Sequence, residues 1–416
     1  MKIAFPKINI PTLMIALALL VQFCVVIEPA PADLVFAVGF AFLVFSHLRT
    51  WRQIPATFLV MCFLFVLANT ISMFWVNSFG QGMFNYAVNV YMICIALSIP
   101  MIAIKNGRRA LLVVYYSILA GVGISSCLGL MGSLGLTVGG EDLYYHISGR
   151  LSPLFKDPNV FGPYLGWGAV LALGFLCEDT VSRRVKLILL LILLGSAFGV
   201  MASGSRAAMG CLFGSLIVFL CLLLLTPARA QAIKLFLYLL VVGVIFYTCL
   251  SIYYLSSPES YDILLMRFNF LNLQNYDYVR FENQWDAALL AFVTPLGIGP
   301  GHYVGVSHFA ESDFLTCTHN VYIKVAVENG YIGFVSFAGI LFLPLFWLFK
   351  IVLLKRTGYI YLKVAIFSGL VAQGVNSIVI DSLHWRHFFV IIGCCLAEVV
   401  EAKRNRSRIS HLPPRE

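Results

Sequence analysis

Residues 331–349 read YIGFVSFAGILFLPLFWLF, and this stretch decides the fold class. None of its side chains carries a charge. One helix needs about 20 consecutive apolar residues to cross the ~30 Å hydrocarbon core of a bilayer. The stretch therefore predicts a membrane-spanning helix.

The composition of the whole chain extends this prediction. Of its 416 residues, 60% are hydrophobic and 11% are charged, whereas soluble domains are about 25% charged. The mean hydropathy is +0.90. These values predict an integral membrane protein in which residues 1–416 form a single polytopic domain.

Apolar runs of similar length recur along the chain and predict an all-α protein with about twelve transmembrane helices. The first run, from Ile8 to Ile27, exceeds the ~7–15 apolar residues of a signal peptide and is expected to be a retained span. The runs lie near 9–27, 32–48, 54–76, 84–104, 110–134, 160–178, 185–202, 207–225, 233–254, 320–350, 360–380 and 385–400.

The distribution of lysine and arginine orients these spans. With the N-terminus in the cytoplasm, 21 of the 28 basic residues fall in inward loops or tails, as the positive-inside rule requires. We therefore expect both termini to be cytoplasmic. The formal net charge of +9 is explained by these loops and does not call for a nucleic-acid partner. The seven outward cations are Arg150, Lys156, Arg206, Arg267, Arg280, Lys324 and Arg386.

Two outward segments are longer than a simple connection needs. Residues 135–159 form the shorter one, and residues 255–319 form a large loop of about 65 residues within the membrane domain. Long loops held on a rigid scaffold are where functional residues concentrate. We expect the functional site on this side.

The outward cations have both structural and functional interpretations. Arg206 lies in SGSRAAMG, where small neighbours let a ligand approach; it either holds an anion or reaches harmlessly to the membrane interface. Lys156 follows Arg150 in GRLSPLFKDPNVFG and is either a ligand contact or a solvated side chain. In the same segment, Asp157 or Asn159 is expected to cap the following helix.

The large loop contains a predicted amphipathic helix. Its sequence YDYVRFENQWDAALLAFVTPLGIGPGHY places four apolar side chains at a helical spacing, as expected for a helix lying along the membrane surface. Arg280 and Gln284 share a neighbouring face. Pro295 is expected to end the helix. The following glycines allow tight turns whose N–H groups could face an anion. The apolar residues are Phe281, Trp285, Leu289 and Phe292, and the glycines are Gly297, Gly299 and Gly301.

The segment CTHNVYIKVAVENG, residues 317–330, joins this loop to the span. Asn320, Lys324 and Glu328 recur every fourth residue and line one helical face, where Lys324 and Glu328 are expected to pair. His319 precedes the helix. An imidazole with an ordinary pKa near 6.5 suits proton removal from a hydroxyl, although an interfacial histidine that only caps a helix has the same sequence pattern.

Common catalytic motifs are absent from the sequence. There is no HExxH, GxSxG, Walker A or DxD-like pattern, and no metal site or cofactor is predicted. If the substrate carries a pyrophosphate, arginines are the groups that would neutralise it, because guanidinium binds phosphate oxygens in pairs.

The order of four motifs resembles the bacterial O-antigen ligase and O-antigen polymerase superfamily, and most closely O-antigen ligase. The motifs are the GRLSPLFKDPNVFG, SGSRAAMG, RFENQWDAALLAFVTPLGIGPGHY and THNVYIKVAVENGYIGF segments, which together cover about residues 145–345. This resemblance implies a metal-independent GT-C type glycosyltransferase in the bacterial inner membrane. It also implies an active site facing the periplasm.

The resemblance implies particular roles for five residues. Arg206 and Arg280 would hold the pyrophosphate of an undecaprenyl-pyrophosphate-linked glycan donor, and Arg150 would be a further phosphate contact. His319 would be the general base or orient the acceptor hydroxyl, with Asn320 helping to position it.

Lys156 and Gln284 complete the predicted substrate-binding set. The ESDFLTCT segment before His319 is longer and more acidic than the family pattern, which leaves the geometry of the loop open.

Three activities share this pattern. O-antigen ligation uses lipid A-core oligosaccharide as the acceptor, whereas an O-antigen or exopolysaccharide polymerase uses another lipid-linked repeat. A flippase for the same glycans is a fourth possibility from a different class. Transporters carry ionisable residues near the bilayer midplane, and most spans here lack a central charge, which disfavours a flippase. The twelve-span layout, the single dominant loop and the full series of motifs favour ligation over polymerisation.

Overall fold

A computed structural model describes residues 9–45, 48–256, 275–305, 317–354 and 358–410. The described chain is helical, and it contains no strand beyond one isolated bridge between Tyr145 and Leu151. Its α-helices, in chain order, are α1 (Ile10–Leu20), α2 (Pro31–Phe45), α3 (Ala56–Ser72), α4 (Phe79–Ser133), α5 (Pro158–Cys177), α6 (Arg183–Ala202), α7 (Arg206–Leu224), α8 (Arg229–Ser256), α9 (Asn275–Val293), α10 (Val321–Leu353), α11 (Ile360–Asn376) and α12 (Arg386–Ser410).

Among the described residues, six helical segments are long and apolar enough to cross a membrane. They are Ala56–Trp75, Phe79–Ser133, Pro158–Cys177, Arg183–Ala202, Arg206–Leu224 and Val321–Leu353. Large apolar side chains on α6 are exposed, including Leu187 and Leu191 at 61% and 62%, as expected for a surface that contacts lipid. The chain is therefore an α-helical membrane protein, and the count of twelve spans remains a prediction.

The 55-residue helix α4 is two antiparallel segments joined at Gly107. A straight helix of that length would extend about 80 Å, far beyond the ~30 Å bilayer core. Gly107 has a positive φ of 71° and breaks the helix. Asn89, in the first segment, lies within 3.1 Å of His384, whereas Arg108, next to the break, pairs with Glu398 halfway along α12. Arg404, further along α12, donates to the Ala103 carbonyl at 3.0 Å.

Helix α10 also reverses, at Gly330 (φ 68°). Tyr322 and Phe337 would be about 22 Å apart in a straight helix, yet their ring centroids are 6.2 Å apart. Residues 321–329 therefore fold back against the longer segment that follows them. The predicted span at 320–350 is consequently one crossing segment preceded by a short segment that runs in the opposite direction. His319 therefore lies further into the bundle than the outer end of the crossing segment, where the sequence predicted it.

The centre of the bundle is α5. It is buried along almost its whole length, and Trp167 and Tyr164 are each 1% exposed. Close approach to its neighbours requires small residues: a Cβ at Gly168 would lie 2.4 Å from Val122, and one at Gly174 would lie 2.6 Å from Ala365. This packing fixes the start of α5, where the predicted site residues begin.

The polar groups of the bundle gather at two ends. One end, which we call the His319 end, contains the starts of α2, α5, α7, α10 and α12 and the end of α11. At the opposite end, Arg108 pairs with Glu398 and the Lys403 ammonium lies 5.7 Å from the Trp347 ring centroid. Of the seven cations expected outside, Arg150, Lys156, Arg206, Arg280, Lys324 and Arg386 lie at the His319 end, and Arg267 lies outside the described residues.

Candidate functional site

Helix α9 is confirmed as the predicted helix of the large loop, of which residues 257–274 and 306–316 lie outside the described residues. It ends at Val293, two residues before Pro295. The apolar stripe predicted from its spacing is exposed, with Phe281, Leu289, Trp285 and Phe292 at 48%, 49%, 66% and 73%. An opposite face, with Asn283 and Ala287 at its centre, is buried against the bundle. This division into one protein-facing side and one exposed apolar side fits a helix at a membrane surface.

His319 connects the loop to α10 in an unusual backbone conformation. Its φ is +46°, a left-handed value that costs a non-glycine residue about 1 kcal/mol or more. Gln284 on α9 donates its side-chain N–H to the His319 carbonyl at 3.3 Å. The backbone conformation is thus fixed from both sides, by α9 and by the start of α10.

Asn320 is the N-cap of α10. Its side-chain oxygen accepts hydrogen bonds from the backbone N–H groups of Tyr322 and Ile323, at 3.0 and 3.1 Å. The backbone N–H of Val321 donates to the Ser377 carbonyl at 3.0 Å, which joins this helix start to the end of α11. In this structure Asn320 therefore positions His319, and its predicted contact with an acceptor sugar stays a prediction.

The imidazole of His319 lies in a cationic, half-buried environment. Burial and the nearby Arg280 guanidinium lower the pKa of His319 to about 4, although the carboxylates of Asp381 and Asp157 act in the opposite direction. Arg280 extends from α9 towards the end of α11, where its Nη1 lies 3.5 Å from the Val379 carbonyl oxygen. At neutral pH the imidazole is consequently uncharged and able to accept a proton.

Lys324 pairs with Asp381 across the junction between α11 and α12. Its Nζ donates to Asp381 Oδ2 at 2.6 Å, so the predicted pairing with Glu328 is corrected. Glu328 instead accepts, through Oε1, from the backbone N–H of Tyr303 at 3.4 Å. The correction has a simple cause: the two residues share a helical face, as predicted, but packing brings a closer carboxylate to the lysine.

A second polar group surrounds the starts of α5 and α7. Arg150 donates from Nη2 to the Asn159 side-chain oxygen at 3.0 Å and from Nε to the Ser203 carbonyl at 2.9 Å. The Ser205 hydroxyl donates to the same Asn159 oxygen at 2.9 Å. Because Ser205 caps α7, Arg206 follows directly as the first residue of that helix. Arg150 and Arg206 are therefore brought to the same part of the structure, although 56 residues separate them in the chain.

Asp157 connects the two polar groups. It caps α5 as predicted, accepting from the Asn159 backbone N–H at 2.7 Å, and its charge also acts on the imidazole of His319. The structure thus places Arg280 beside His319, and Arg150 beside the helix start at which Arg206 lies, all at the His319 end. Positive helix-start dipoles and guanidinium groups together favour an anion here.

The other predicted contacts are placed differently. Lys156 is about half exposed and pairs with Glu28 at 2.9 Å. Gln284 contacts the His319 backbone rather than open space. For both, the predicted role as a substrate contact stays a prediction.

The glycine turn after α9 adopts the expected conformation but does not present free N–H groups. Gly297, Gly299 and Gly301 all have positive φ values, of 82°, 106° and 73°. However, the N–H of Gly299 donates to the Glu328 carbonyl at 2.9 Å, and that of Ile298 donates to the Val327 carbonyl at 3.0 Å. The turn is therefore packed against α10, and its predicted role in anion binding is wrong for these two groups.

Three residues of this region were not predicted from the sequence to make the contacts they make here. Asp381 and His384 lie in the connection between the last two helices, and Asn159 joins Arg150 to Ser205. Burial and the nearby Lys324 lower the pKa of His384 to about 4. An aspartate in the connection between the last two spans, on the same outward side as Lys324, is the signal that could have indicated Asp381.

The arrangement has the parts needed to transfer a group from a phosphate leaving group. Guanidinium groups can stabilise negative charge, and a neutral imidazole can remove a proton from a nucleophile. Within the described ranges, no group of three histidine, cysteine, aspartate or glutamate side chains is close enough to hold a metal ion.

Comparison with known proteins assigns no family to this chain. No protein-family model matches the chain, and no curated protein matches it either.

Proposed function

We propose that this protein is a membrane glycosyltransferase that moves a glycan from undecaprenyl pyrophosphate to a hydroxyl of an acceptor sugar. The favoured acceptor is the lipid A-core oligosaccharide, which makes the reaction O-antigen ligation. The reaction takes place at the periplasmic face of the bacterial inner membrane. The twelve-span, GT-C type architecture belongs to the same proposal.

One observation carries the proposal. A neutral histidine, held in a strained conformation beside Arg280, lies at the same end of the bundle as Arg150 and the start of α7 at Arg206. Perturbed titration beside several cations is typical of functional sites. This combination provides a base and cations that can stabilise an anionic leaving group.

The proposed step is a single displacement. The acceptor hydroxyl oxygen forms a bond to the anomeric carbon, and its proton passes to the imidazole of His319. The bond between that carbon and the pyrophosphate oxygen breaks, and its electron pair leaves with the pyrophosphate. Arg206 and Arg280 stabilise the leaving charge, with Arg150 nearby. A one-step attack inverts the anomeric centre, and a product with retained configuration would contradict it.

The low pKa of His319 is consistent with this role because the donor itself is charged. A bound pyrophosphate beside Arg280 would offset the cationic field at the imidazole. The pKa of His319 would then rise towards the range in which a base works best. The base would thus gain strength when the donor binds.

Alanine variants of His319, Arg206 and Arg280 test the proposal. Each is expected to lower transfer by ~10²-fold or more, since positioned bases and charge stabilisers are worth that much individually. Membrane levels should remain unchanged. Transfer is measured with purified protein, a lipid-linked glycan donor and a core oligosaccharide acceptor.

Two matched controls exclude a general effect of losing a side chain. His146→Ala removes a partly exposed histidine from the other outward segment, and Arg184→Ala removes an exposed arginine at the start of α6. Both should transfer at the wild-type rate. Wild-type transfer by His319→Ala would show that the base assignment is wrong.

The phenotype of a deletion strain separates the related activities. Loss of a ligase leaves complete polymer on its lipid carrier outside the membrane. Single repeats attached to the core would indicate a polymerase, and precursor retained inside would indicate a flippase. Either of these two outcomes would overturn ligation.

A further inference from the structure

A cavity of about 190 Å³ lies beside the candidate site at the His319 end. Its wall is formed by the connection between α1 and α2, the segment leading into α5, and the start of α12. The volume corresponds to roughly six water molecules at ~30 Å³ each. Asp157 and His384 line it, so the cavity adjoins the residues around His319 and Lys324.

The cavity is lined by buried polar groups whose hydrogen-bonding capacity is not used. The side-chain amide of Gln22, 5% exposed, has no hydrogen-bond partner at Nε2 or Oε1 among the described residues, and neither does Nε2 of His387, which is 3% exposed. The Tyr164 hydroxyl, on a side chain 1% exposed, approaches Gln22 without satisfactory hydrogen-bond geometry. Leaving such buried groups unsatisfied is unfavourable, and a hydrogen-bonding ligand or water would remove that cost.

Aromatic rings complete the wall. Trp385, 8% exposed, lies with its ring centroid 5.2 Å from that of His387, and Phe155 lines another part of the cavity. Apolar faces that alternate with donors and acceptors suit a ring carrying both C–H faces and hydroxyl groups.

Four of the charged groups around the cavity form pairs within the protein. Arg386 holds Asp33 through two hydrogen bonds, of 2.6 and 2.5 Å. Lys156 pairs with Glu28, and because both are more than half exposed they mark the mouth. The remaining charged group in the lining is the Asp157 carboxylate, and a polar interior beside a negative charge suits neither a phosphate nor a lipid tail.

We propose that this cavity binds one pyranose ring of a glycan, with Gln22, Tyr164 and His387 hydrogen-bonding its hydroxyls and Trp385 packing on its face. The ring lies next to the reacting sugar, a placement that rests on the proposed transferase function. The ring can belong to the donor or to the acceptor glycan, because both present the same hydroxyl chemistry.

Sugar binding can be tested without turnover. Purified protein in lipid nanodiscs is mixed with the methyl pyranosides of glucose, galactose, mannose, rhamnose and N-acetylglucosamine, and saturation-transfer NMR detects bound sugar. At least one pyranoside should receive saturation. Gln22→Leu should reduce the signal at least fivefold, and Val160→Trp, which fills the cavity from another wall, should do the same if Gln22→Leu destabilises the protein. The absence of saturation in every pyranoside, or an unchanged signal in both variants, would overturn the proposal.

Kinetic measurements then identify the glycan and separate this proposal from the proposed function. Gln22→Leu should raise KM at least fivefold for either the donor or the acceptor, with kcat within about twofold of wild type. Unchanged KM values for both would overturn the placement in the transfer site. His319→Ala should lose transfer but keep the saturation signal, so failure of catalysis and failure of sugar binding are distinguishable.

Discussion

At the scale of single residues, the conformation and protonation of His319 are set by its neighbours more than by the chemistry of histidine itself. Its left-handed φ of 46° is retained because Gln284 holds its carbonyl and Asn320 caps the helix that follows. Strain of this kind persists when neighbouring structure determines it, and it concentrates at functional sites. Burial and Arg280 together keep its imidazole neutral.

The pH dependence of transfer follows from this pKa. An ordinary histidine protonates near pH 6.5, whereas His319 has a pKa of about 4 and remains a neutral base down to that range. Because kcat/KM reports on the free enzyme, its acid limb should be centred near pH 4 rather than pH 6.5. The measurement is the rate at low donor concentration between pH 4 and 8.

A His384 variant is the control for this measurement, because the pKa of His384 is also about 4. Burial raises the pKa of Asp381, but Lys324, His384 and the Leu383 backbone N–H together outweigh this and hold it below its ordinary value, so Asp381 stays charged across most of the range. The His384→Gln variant should show the same acid limb as wild type. A limb centred near pH 6.5 would show that His319 is not the base in the environment described here.

At the scale of elements, two glycines join α9 to α10. A Cβ at Gly297 would lie 2.4 Å from the Glu328 carbonyl oxygen, and one at Gly330 would lie 2.3 Å from the Pro295 carbonyl oxygen. Both glycines have positive φ. The turn after α9 and the reversal in α10 therefore fit only if both residues lack a side chain. The close contact between these two turns positions α9 against α10, and so places Arg280 beside His319.

Alanine at either position should destabilise the protein and reduce transfer. The backbone conformation alone costs about 1–2 kcal/mol, and the obstructing atoms belong to backbone, which cannot move aside cheaply. We expect the thermal midpoint of Gly330→Ala in detergent to fall by several degrees. Gly210→Ala is the matched control, since its Cβ would meet nothing within 4 Å and alanine favours helix. An equal midpoint for both variants would contradict the proposed contact.

At the scale of the whole molecule, the polar groups separate into two ends. The His319 end contains the candidate site, and the opposite end contains the Arg108–Glu398 pair. This separation is what a membrane protein with one working face requires, because charges in the bilayer core are costly. The reversal of α4 at Gly107 returns the chain to the His319 end before α5 begins.

Reporter fusions test the orientation of these ends. Alkaline phosphatase fused after Gly139 should be active, because residues 135–159 are expected in the periplasm. Fusions after Gly107 and at the C-terminus should be inactive as phosphatase but fluorescent with green fluorescent protein. An active phosphatase at the C-terminus would contradict the predicted orientation and the even number of spans.

The sequence by itself determined the features that depend on neighbours along the chain. Apolar runs, the Asp157 cap, the helix that ends before Pro295 and the positive φ of Gly297 are encoded by local sterics and by hydrogen bonds within a few residues. The amphipathic stripe of α9 is equally local, since helical periodicity fixes which residues share a face. Charge distribution along the chain also placed the candidate site at one end.

Only the tertiary structure decided which of these residues meet. Lys324 pairs with Asp381, 57 residues away, rather than with Glu328 on its own helix. Asn159 joins Arg150 to Ser205, and Gln22, Tyr164 and His387 surround one cavity. These contacts depend on how helices pack and where α4 and α10 reverse. The pKa of His319 follows from the same packing, because burial and the distance to Arg280 are properties of the assembled bundle.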